Sequence, residues 1–480
     1  MPNLHYKLIL RFLPIIYLVI CACNESAPTS SESILTLETE RQIDSLFAEW
    51  DESGHPGGSV GIMLDGEIVY AKGFGLSSLE YGVHNTDSTL YNIASVSKQF
   101  TAYAMLLLQE QGKISLDDEV HTYFPEFNDF GYPVTIRHMI HHTSGLRSLH
   151  ALMHMAGWRG DDKRTNEDLM RLMLLQEELN FRPGDEYLYC NTGYMLMAEI
   201  VEQVSGQDFV DWMDEHVFTP LSMENTYVER EYDQIVAGNA VSYDWHGDEE
   251  AFRYAVPYWG YVGSGNIHTN VYDLLKWQQY LNNPPADQQE MVARMFVRGV
   301  LNSGDTLNYA AGLSTFQDYY GEQGFGHGGS IGGYRASIQS VPAHRLNVVV
   351  LTNFSNSGPS GKAFRIIDII LDKEIEEDEE DEEGEEVAEE ALALSSEVAG
   401  EYYSPELQAT YRLSLSDDET LLVEHPRHGA FSMQMYAPDT LEGDYYAIRR
   451  IALERDASGS LSGFRATNGR VRNLRFVKIK

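Results

Sequence analysis

Ser95 and Lys98 stand three residues apart at the head of a stretch that runs from Lys98 to Gln111 without glycine or proline and stops at Gly112. That pattern predicts a helix with a glycine stop. Phe100, Ala104, Leu107 and Leu108 fall on one stripe of it and are expected in the core. A serine hydroxyl is a poor nucleophile at neutral pH. An amine on the same helical face, its pKa lowered by burial or a neighbouring cation, can take the hydroxyl proton. A helix N-terminus also offers N–H groups that can meet an oxyanion. Ser-x-x-Lys also arises by chance in a chain of 480 residues, so partners elsewhere decide its meaning.

Two segments supply candidates. In Phe181-Arg-Pro-Gly-Asp-Glu-Tyr-Leu-Tyr189-Cys-Asn191, Pro183-Gly184 reads as a turn, and Tyr189 and Asn191 point the same way if the chain is extended. A phenol beside a lysine ammonium has its ionised form favoured, so Tyr189 is a candidate base or proton shuttle. In Gly324-Phe-Gly-His327-Gly328-Gly329-Ser330-Ile-Gly-Gly-Tyr334, the glycines let a substrate approach the backbone closely. The N–H of Ser330 is the candidate second oxyanion donor. Taken singly, each segment also reads as an ordinary turn.

In this order the three motifs resemble the serine β-lactamase/penicillin-binding-protein superfamily, in its branch of class C β-lactamases, D-Ala-D-Ala carboxypeptidases, esterases and aminopeptidases. Ser95-Val-Ser-Lys98 is similar to that family's Ser-x-x-Lys, Tyr189-Cys-Asn191 to its Tyr-x-Asn, and His327-Gly-Gly329 to its third motif. His142-Thr-Ser-Gly-Leu146, Phe181-Arg-Pro-Gly184 and Gly328-Gly-Ser-Ile-Gly-Gly-Tyr334 match as well, so the resemblance covers about residues 36–372. It implies that Ser95 attacks an acyl carbon while Lys98 and Tyr189 handle its proton. Asn191, His327 and Gly329 would contact substrate, and the N–H groups of Ser95 and Ser330 would form the oxyanion hole. One departure matters: many members carry Lys in the third motif, where its charge holds a substrate carboxylate. Here stands His327, largely neutral at pH 7 unless its pKa is raised. That moves weight from β-lactams toward esters or peptides, with a penicillin-binding carboxypeptidase or β-lactamase as the alternative.

Rival chemistries are weaker. Gly57-Gly-Ser59-Val-Gly61 and Gly328-Gly-Ser330-Ile-Gly332 fit an α/β-hydrolase elbow, but the elbow needs a strand before the serine and a helix after it. Ser59 precedes a strand, and strand-like residues follow Ser330. A zinc site could use His138/His142 or His150/His154, yet no His-Glu-x-x-His occurs, so the reading calls for no metal and no cofactor. A catalytically silent cell-wall or peptide-binding protein is the reading from another class. Intact Ser95, Lys98, Tyr189 and His327 speak against it.

The positioning elements are legible in outline. A helical pattern covers 34–50, and Gly58–Leu64 with Glu67–Tyr70 form a hairpin around Asp65-Gly66. Helical segments are expected at 135–142, 166–175 and 194–204 within a largely helical insertion over 113–260, and another helix at 271–281. Tyr334–Val341 and Leu346–Thr352 read as adjacent antiparallel strands, and a helix over 361–371 returns to pair with the first. The fold class is α/β (α+β): a β-lactamase-like antiparallel sheet flanked by helices with a helical subdomain, then a small all-β domain. In 396–480, short alternating runs at 411–415, 420–423, 431–435, 445–451, 461–465 and 471–479 predict a β-barrel or sandwich. In related proteins such a domain is often a lipocalin-like barrel that shapes the active site.

Lys7 and Arg11 flank an apolar run ending Ile20-Cys21-Ala22-Cys23, which resembles a bacterial lipobox. Residues 1–23 would then be a lipoprotein signal with Cys23 the lipidated first mature residue and 24–35 a tether; a plain secretory signal is the competing reading. Export with a membrane anchor follows. Only Cys190 then remains as a thiol, so no intrachain disulfide can form. The hydrolase domain is expected at 36–373 and an acidic linker at 374–395. Residues 374–390 hold 13 carboxylates, and the formal charge of −39 excludes nucleic acid as a partner. The expected partner is a small-molecule or peptide substrate.

Overall fold

Asp65 and Gly66 both take positive φ, 55° and 86°, and close the expected hairpin as a type I′ turn. The computed structural model describes residues 35–373, 396–416 and 420–480. The expected signal segment, Cys23 and the acidic linker lie outside the described residues. The chain begins with helix α1 (Leu37–Ser45), shorter than the 34–50 pattern because a separate 3₁₀ turn, Ala48–Asp51, carries Trp50 into the core. Strands β1 (Gly58–Leu64) and β2 (Glu67–Phe74) follow, then helices α2 (Lys98–Glu110), α3 (Asn191–Ser205) and α4 (Val271–Asn282). Strands β3 (Ser314–Tyr319), β4 (Glu322–Ile331), β5 (Tyr334–Val341) and β6 (Leu346–Thr352) precede helix α5 (Pro359–Leu371). The six strands form one antiparallel sheet in the order β3-β4-β5-β6-β1-β2.

Side-chain alternation sorts this sheet into two faces. Val348 and Val350 of β6 join Ile43, Phe47, Trp50, Ile366 and Ile367 under α1 and α5. Val349 and Leu351 join α2, α3 and α4 on the other face. The closing helix meets the first as expected: Lys362 Nζ donates to Leu46 O at 2.7 Å and to Glu49 Oε1 at 3.0 Å. Neither β3 nor β4 is among the expected strands; β4 is obscured because Gly324 to Gly333 offers six glycines and little β-propensity. The third motif therefore lies on a strand. From His327 to Ile331 that strand has no partner on its β3 side among the described residues, so it forms a sheet edge there.

The C-terminal residues form a closed barrel of eight strands, β7 (Gly400–Ser404), β8 (Ala409–Leu415), β9 (Leu421–His425), β10 (Gly429–Ala437), β11 (Thr440–Glu442), β12 (Arg450–Arg455), β13 (Leu461–Asn468) and β14 (Val471–Lys478). Strands β7 and β11 have no counterpart among the expected runs, and β11 is only three residues long. The 445–451 run is mostly a turn, with Ala447 and Ile448 buried from it and β12 starting only at Arg450. The barrel's apolar interior is continuous with the core around α2 and α3. Residues 35–480 accordingly make one unit. A buried ion pair, Arg147 Nη1 to Glu406 Oε2 at 2.5 Å, ties the barrel to the helical region, and Tyr411 Oη donates to Met155 O at 2.8 Å. Among the described residues no helix is long and apolar enough to cross a membrane.

Candidate active site

The stretch around Ser95 divides into two parts. Ser95 sits in a 3₁₀ turn, Ala94–Ser97, and α2 begins at Lys98. Ala94 takes φ 49°, an unfavourable value for alanine that the surroundings enforce. Its N–H donates to Asn92 Oδ1 at 2.9 Å, and the Ile93 N–H donates to Ile267 O at 2.9 Å. The α2 helix is buried almost all round rather than on one stripe. Leu107, expected in the core, is the partly exposed member because it lies on the outer side of the last turn.

Lys98 Nζ lies 3.2 Å from Ser95 Oγ and donates to Ser264 O at 2.7 Å. The side chain is wholly buried, and no carboxylate pairs with it among the described residues. Burial, with a smaller contribution from the Arg470 guanidinium, holds its pKa well below that of a free lysine. The lowered pKa favours the neutral amine, whose lone pair can take the serine proton.

Tyr189 sits beside this pair, with Lys98 Nζ 4.9 Å from its ring centre. Its hydroxyl is buried without a hydrogen bond of ordinary geometry, although Ser95 is near enough to favour the phenolate. Burial outweighs both Ser95 and Arg470 and pushes the phenol's pKa up. The expectation that a lysine ammonium favours the ionised Tyr189 is thus reversed: burial favours the neutral amine and the protonated phenol. His142, at φ 58°, orients the segment that carries Tyr189. Its Nδ1 accepts from the Cys190 N–H at 3.0 Å, and its ring lies 4.2 Å from that of Tyr189. Asn191 opens α3 directly after Cys190 and faces the same cleft as Tyr189.

His327 is buried on β4. Its Nδ1–H donates to Gly328 O at 2.6 Å, leaving Nε2 to accept from Tyr309 Oη at 3.1 Å. Burial pushes its pKa down to about 4, so it is neutral at pH 7 as expected. Gly329 lies where β4 crosses the Ser95 turn: a Cβ there would stand 2.2 Å from Ile93 O. Ser330 follows on the same edge and lines the same cleft as Ser95. The cleft has a volume of about 620 Å³ and takes in Ser95, Tyr189, Asn191, His327, Gly329 and Ser330 together.

Several lining residues carry no sequence signal as site residues. Arg470 reaches the cleft from the turn between β13 and β14, its guanidinium 5.0 Å from the Tyr189 ring. Arg164 is buried against Trp259 at 4.8 Å and donates to His150 Nδ1 at 3.4 Å and His154 Nε2 at 3.2 Å. The dense histidines were the sole hint at this wall. Among the described residues no group of side chains is arranged to hold a metal ion. Ser59, the rival nucleophile, is buried in β1 and donates to Thr86 O at 2.6 Å.

The Beta-lactamase family model matches residues 43–370, and the chain belongs to that family. Among curated relatives, the chain is 28% identical over 329 residues to penicillin-binding protein 4* of Bacillus subtilis, spanning 65% of this chain and 71% of that one. It is 27% identical over 317 residues to a D-aminopeptidase of Brucella anthropi, covering 66% of this chain but only 59% of the relative's length. Among solved structures, the octameric penicillin-binding protein homologue from Pyrococcus abyssi superposes with a TM-score of 0.62 at 25% identity, over 92% of this chain and 99% of that one. A D-amino acid amidase from Ochrobactrum anthropi shares the fold at 20% identity and a TM-score of 0.58, over 70% of this chain and 99% of its own.

Proposed function

We propose that this chain is a serine hydrolase that works through an acyl-enzyme on an ester or a D-amino-acid peptide bond, with Ser95 as nucleophile. The observation that carries this reading is the 3.2 Å approach of Lys98 Nζ to Ser95 Oγ, with the amine buried and unpaired with any described carboxylate. As Oγ bonds to the acyl carbon, its proton passes to Lys98. The oxyanion meets the N–H groups of Ser95 and Ser330. Lys98, through the Tyr189 hydroxyl, returns the proton to the leaving oxygen or nitrogen as that bond breaks. Water then attacks the acyl-enzyme and gives a proton back along the same route, which restores the Ser95 hydroxyl. Asn191 and the His327–Gly329 edge hold the substrate.

The neutral His327 supports esters and peptides over β-lactams, because no fixed third-motif charge waits for a β-lactam carboxylate. D-aminopeptidases and a D-amino acid amidase among the relatives fit this direction. Intact-protein mass spectrometry with a fluorophosphonate, a fluorescent penicillin and a short nitrophenyl ester tests the reading. The expected result is fluorophosphonate on Ser95, fast ester turnover and no stable penicillin adduct. A long-lived penicilloyl adduct would establish the penicillin-binding alternative, and no label from any probe would leave a silent binder. We further propose export with a lipid anchor at Cys23, supported by the Ile20-Cys21-Ala22-Cys23 run. A Cys23→Ser variant that still fractionates with membranes would remove it.

A further inference from the structure

The Ser95 turn is held by a second set of contacts besides the Gly329 edge. A short strand, Ile267–Thr269, runs between Tyr91–Asn92 and Tyr227–Val228, antiparallel to both. It sets His268 across from Asn92 on one side and from Tyr227 on the other. The same strand fixes the backbone of the turn. The Ile93 N–H donates to Ile267 O at 2.9 Å, and the Ile267 N–H donates to Ser97 Oγ at 3.2 Å. Ser95 is thus bracketed, two residues to either side, by bonds to one neighbouring residue.

Three polar side chains converge next to this bracket. Asn92 is wholly buried, and its Oδ1 accepts the Ala94 N–H at 2.9 Å. Its Nδ2 lies 3.2 Å from Asn266 Oδ1 and 3.1 Å from His268 Nε2. Glu229 Oε2 reaches the same Nε2 at 3.2 Å. His268 Nδ1 has no hydrogen-bond partner among the described residues, so the ring is fixed at Nε2 and by its stack on Tyr227, centroids 5.1 Å apart. His268 and Glu229 are only 3% and 7% exposed, and neither they nor Asn92 line the cleft, so none of the three touches a substrate there. Burying these groups is costly, whereas a connected buried network fixes one geometry. Here it fixes the Asn92 amide. Turned over, that amide would present its NH₂ to the Ala94 N–H, donor against donor. Asn266 and His268 keep the NH₂ on their side and Oδ1 on the Ala94 N–H. Ala94 needs that hold, because its φ of 49° is unfavourable for alanine and the next residue is the proposed nucleophile.

We infer that Asn92, His268 and Glu229 are positioning residues that keep the Ser95 turn in the conformation acylation requires. They act through the Ala94 N–H and not on substrate. Released, the Ala94–Ser95 peptide unit would rotate and carry with it the Ser95 N–H and Oγ, which the reaction uses together. A displacement of about 1 Å is enough to cost roughly 10²-fold in rate. This deepens the hydrolase reading and rests on it for the word acylation; the hold on the turn does not depend on turnover.

The test compares the full wild-type chain with Asn92→Leu, Glu229→Leu, His268→Leu and His268→Gln. The leucine variants keep bulk and lose the hydrogen bonds, while His268→Gln restores an acceptor for Asn92 Nδ2. Intact-protein mass spectrometry follows fluorophosphonate labelling both as a rate and as a final extent. The expected result is complete labelling of the leucine variants at a maximal rate roughly tenfold or more below wild type, with the half-saturating probe concentration unchanged. His268→Gln should recover most of the rate lost in His268→Leu. A merely structural role would leave part of the protein unlabelled and the rest reacting at the wild-type rate, and that result overturns the inference. Hydrogen exchange of the 91–97 amides is the second measurement, and it should be faster in the leucine variants than in wild type. If Asn92→Leu does not fold, the two His268 variants decide. Wild-type labelling and wild-type exchange in His268→Leu overturn the inference and leave the hydrolase reading standing. If wild-type Ser95 takes no fluorophosphonate, the hydrolase reading falls; faster exchange over 91–97 in the variants then still supports the hold on the turn, and unchanged exchange overturns it.

Discussion

Gly329 on the sheet edge passes so close to Ile93, two residues before Ser95, that a methyl group at Gly329 would stand 2.2 Å from the Ile93 carbonyl oxygen and 3.2 Å from Ala94 Cβ. The contact is with backbone, which cannot swing aside. A Gly329→Ala variant should therefore push the Ser95 turn away from the strand and disturb both proposed oxyanion donors together. A loss of 10² or more in kcat/KM is expected, about the effect of losing one oxyanion donor, with a native far-ultraviolet spectrum. Undiminished ester hydrolysis by this variant would show that the two segments do not act as one site.

Burial lowers the pKa of Lys98, and a base must be unprotonated to act. Since its pKa lies below that of a free lysine, kcat/KM should rise with pH and level off well below pH 10. Lys98→Arg should not rescue activity, because a guanidinium stays protonated. Lys98→Ala should lower fluorophosphonate labelling by roughly 10²–10⁴-fold. A pH profile for kcat/KM whose acid limb is centred near 10, or an active Lys98→Arg protein, would remove Lys98 as the base.

His327 has a folded pKa of about 4 against 6.5 for an unperturbed imidazole. The unfolded chain thus binds this proton from about pH 6.5 downward while the folded chain refuses it until about pH 4. The contribution of His327 to stability is full above pH 6.5 and lost progressively between pH 6.5 and 4. His327→Gln should lose less melting temperature than the wild type between pH 7 and pH 4.5. Parallel losses in the two proteins would mean that the imidazole is not held neutral in the fold.

Arg147 and Glu406 form a pair with almost no exposure, 0% and 3% for the two side chains. Removing one partner leaves a buried charge, so Glu406→Ala should destabilise the protein by about 3–5 kcal/mol. The double variant Arg147→Met/Glu406→Leu should recover much of that loss. Because Arg147 O accepts from Thr192 Oγ1 at 2.8 Å, next to Asn191, weakened barrel docking should also raise KM. Thermal melts of the single and double variants measure the coupling. A fully additive pair would mean the latch does not join the barrel to the helical region energetically.

Local rules carried much of the architecture. Asp65-Gly66, the helix over 166–175, the Gly206 stop of α3 and the β5–β6 pair each depend on neighbours in sequence, through turn chemistry, capping or alternation, and stand where those rules place them. The spacing of Ser95 and Lys98, and the family resemblance of the three motifs, likewise named residues that meet, with Lys98 Nζ 3.2 Å from Ser95 Oγ and with Ser95, Tyr189, Asn191, His327, Gly329 and Ser330 lining one cleft. Other features belong to the assembled chain alone. The strand carrying His327 to Ser330 is glycine-rich, and only pairing with β5 makes it a strand. Whether Lys98 or Tyr189 holds the proton is set by burial, which no spacing reveals. Arg470 and Arg164 lie 306 positions apart and meet at one cleft only because the barrel is latched onto the helical region. Motif chemistry is a property of residue type and separation, whereas desolvation and charge pairing depend on which distant segments exclude water together.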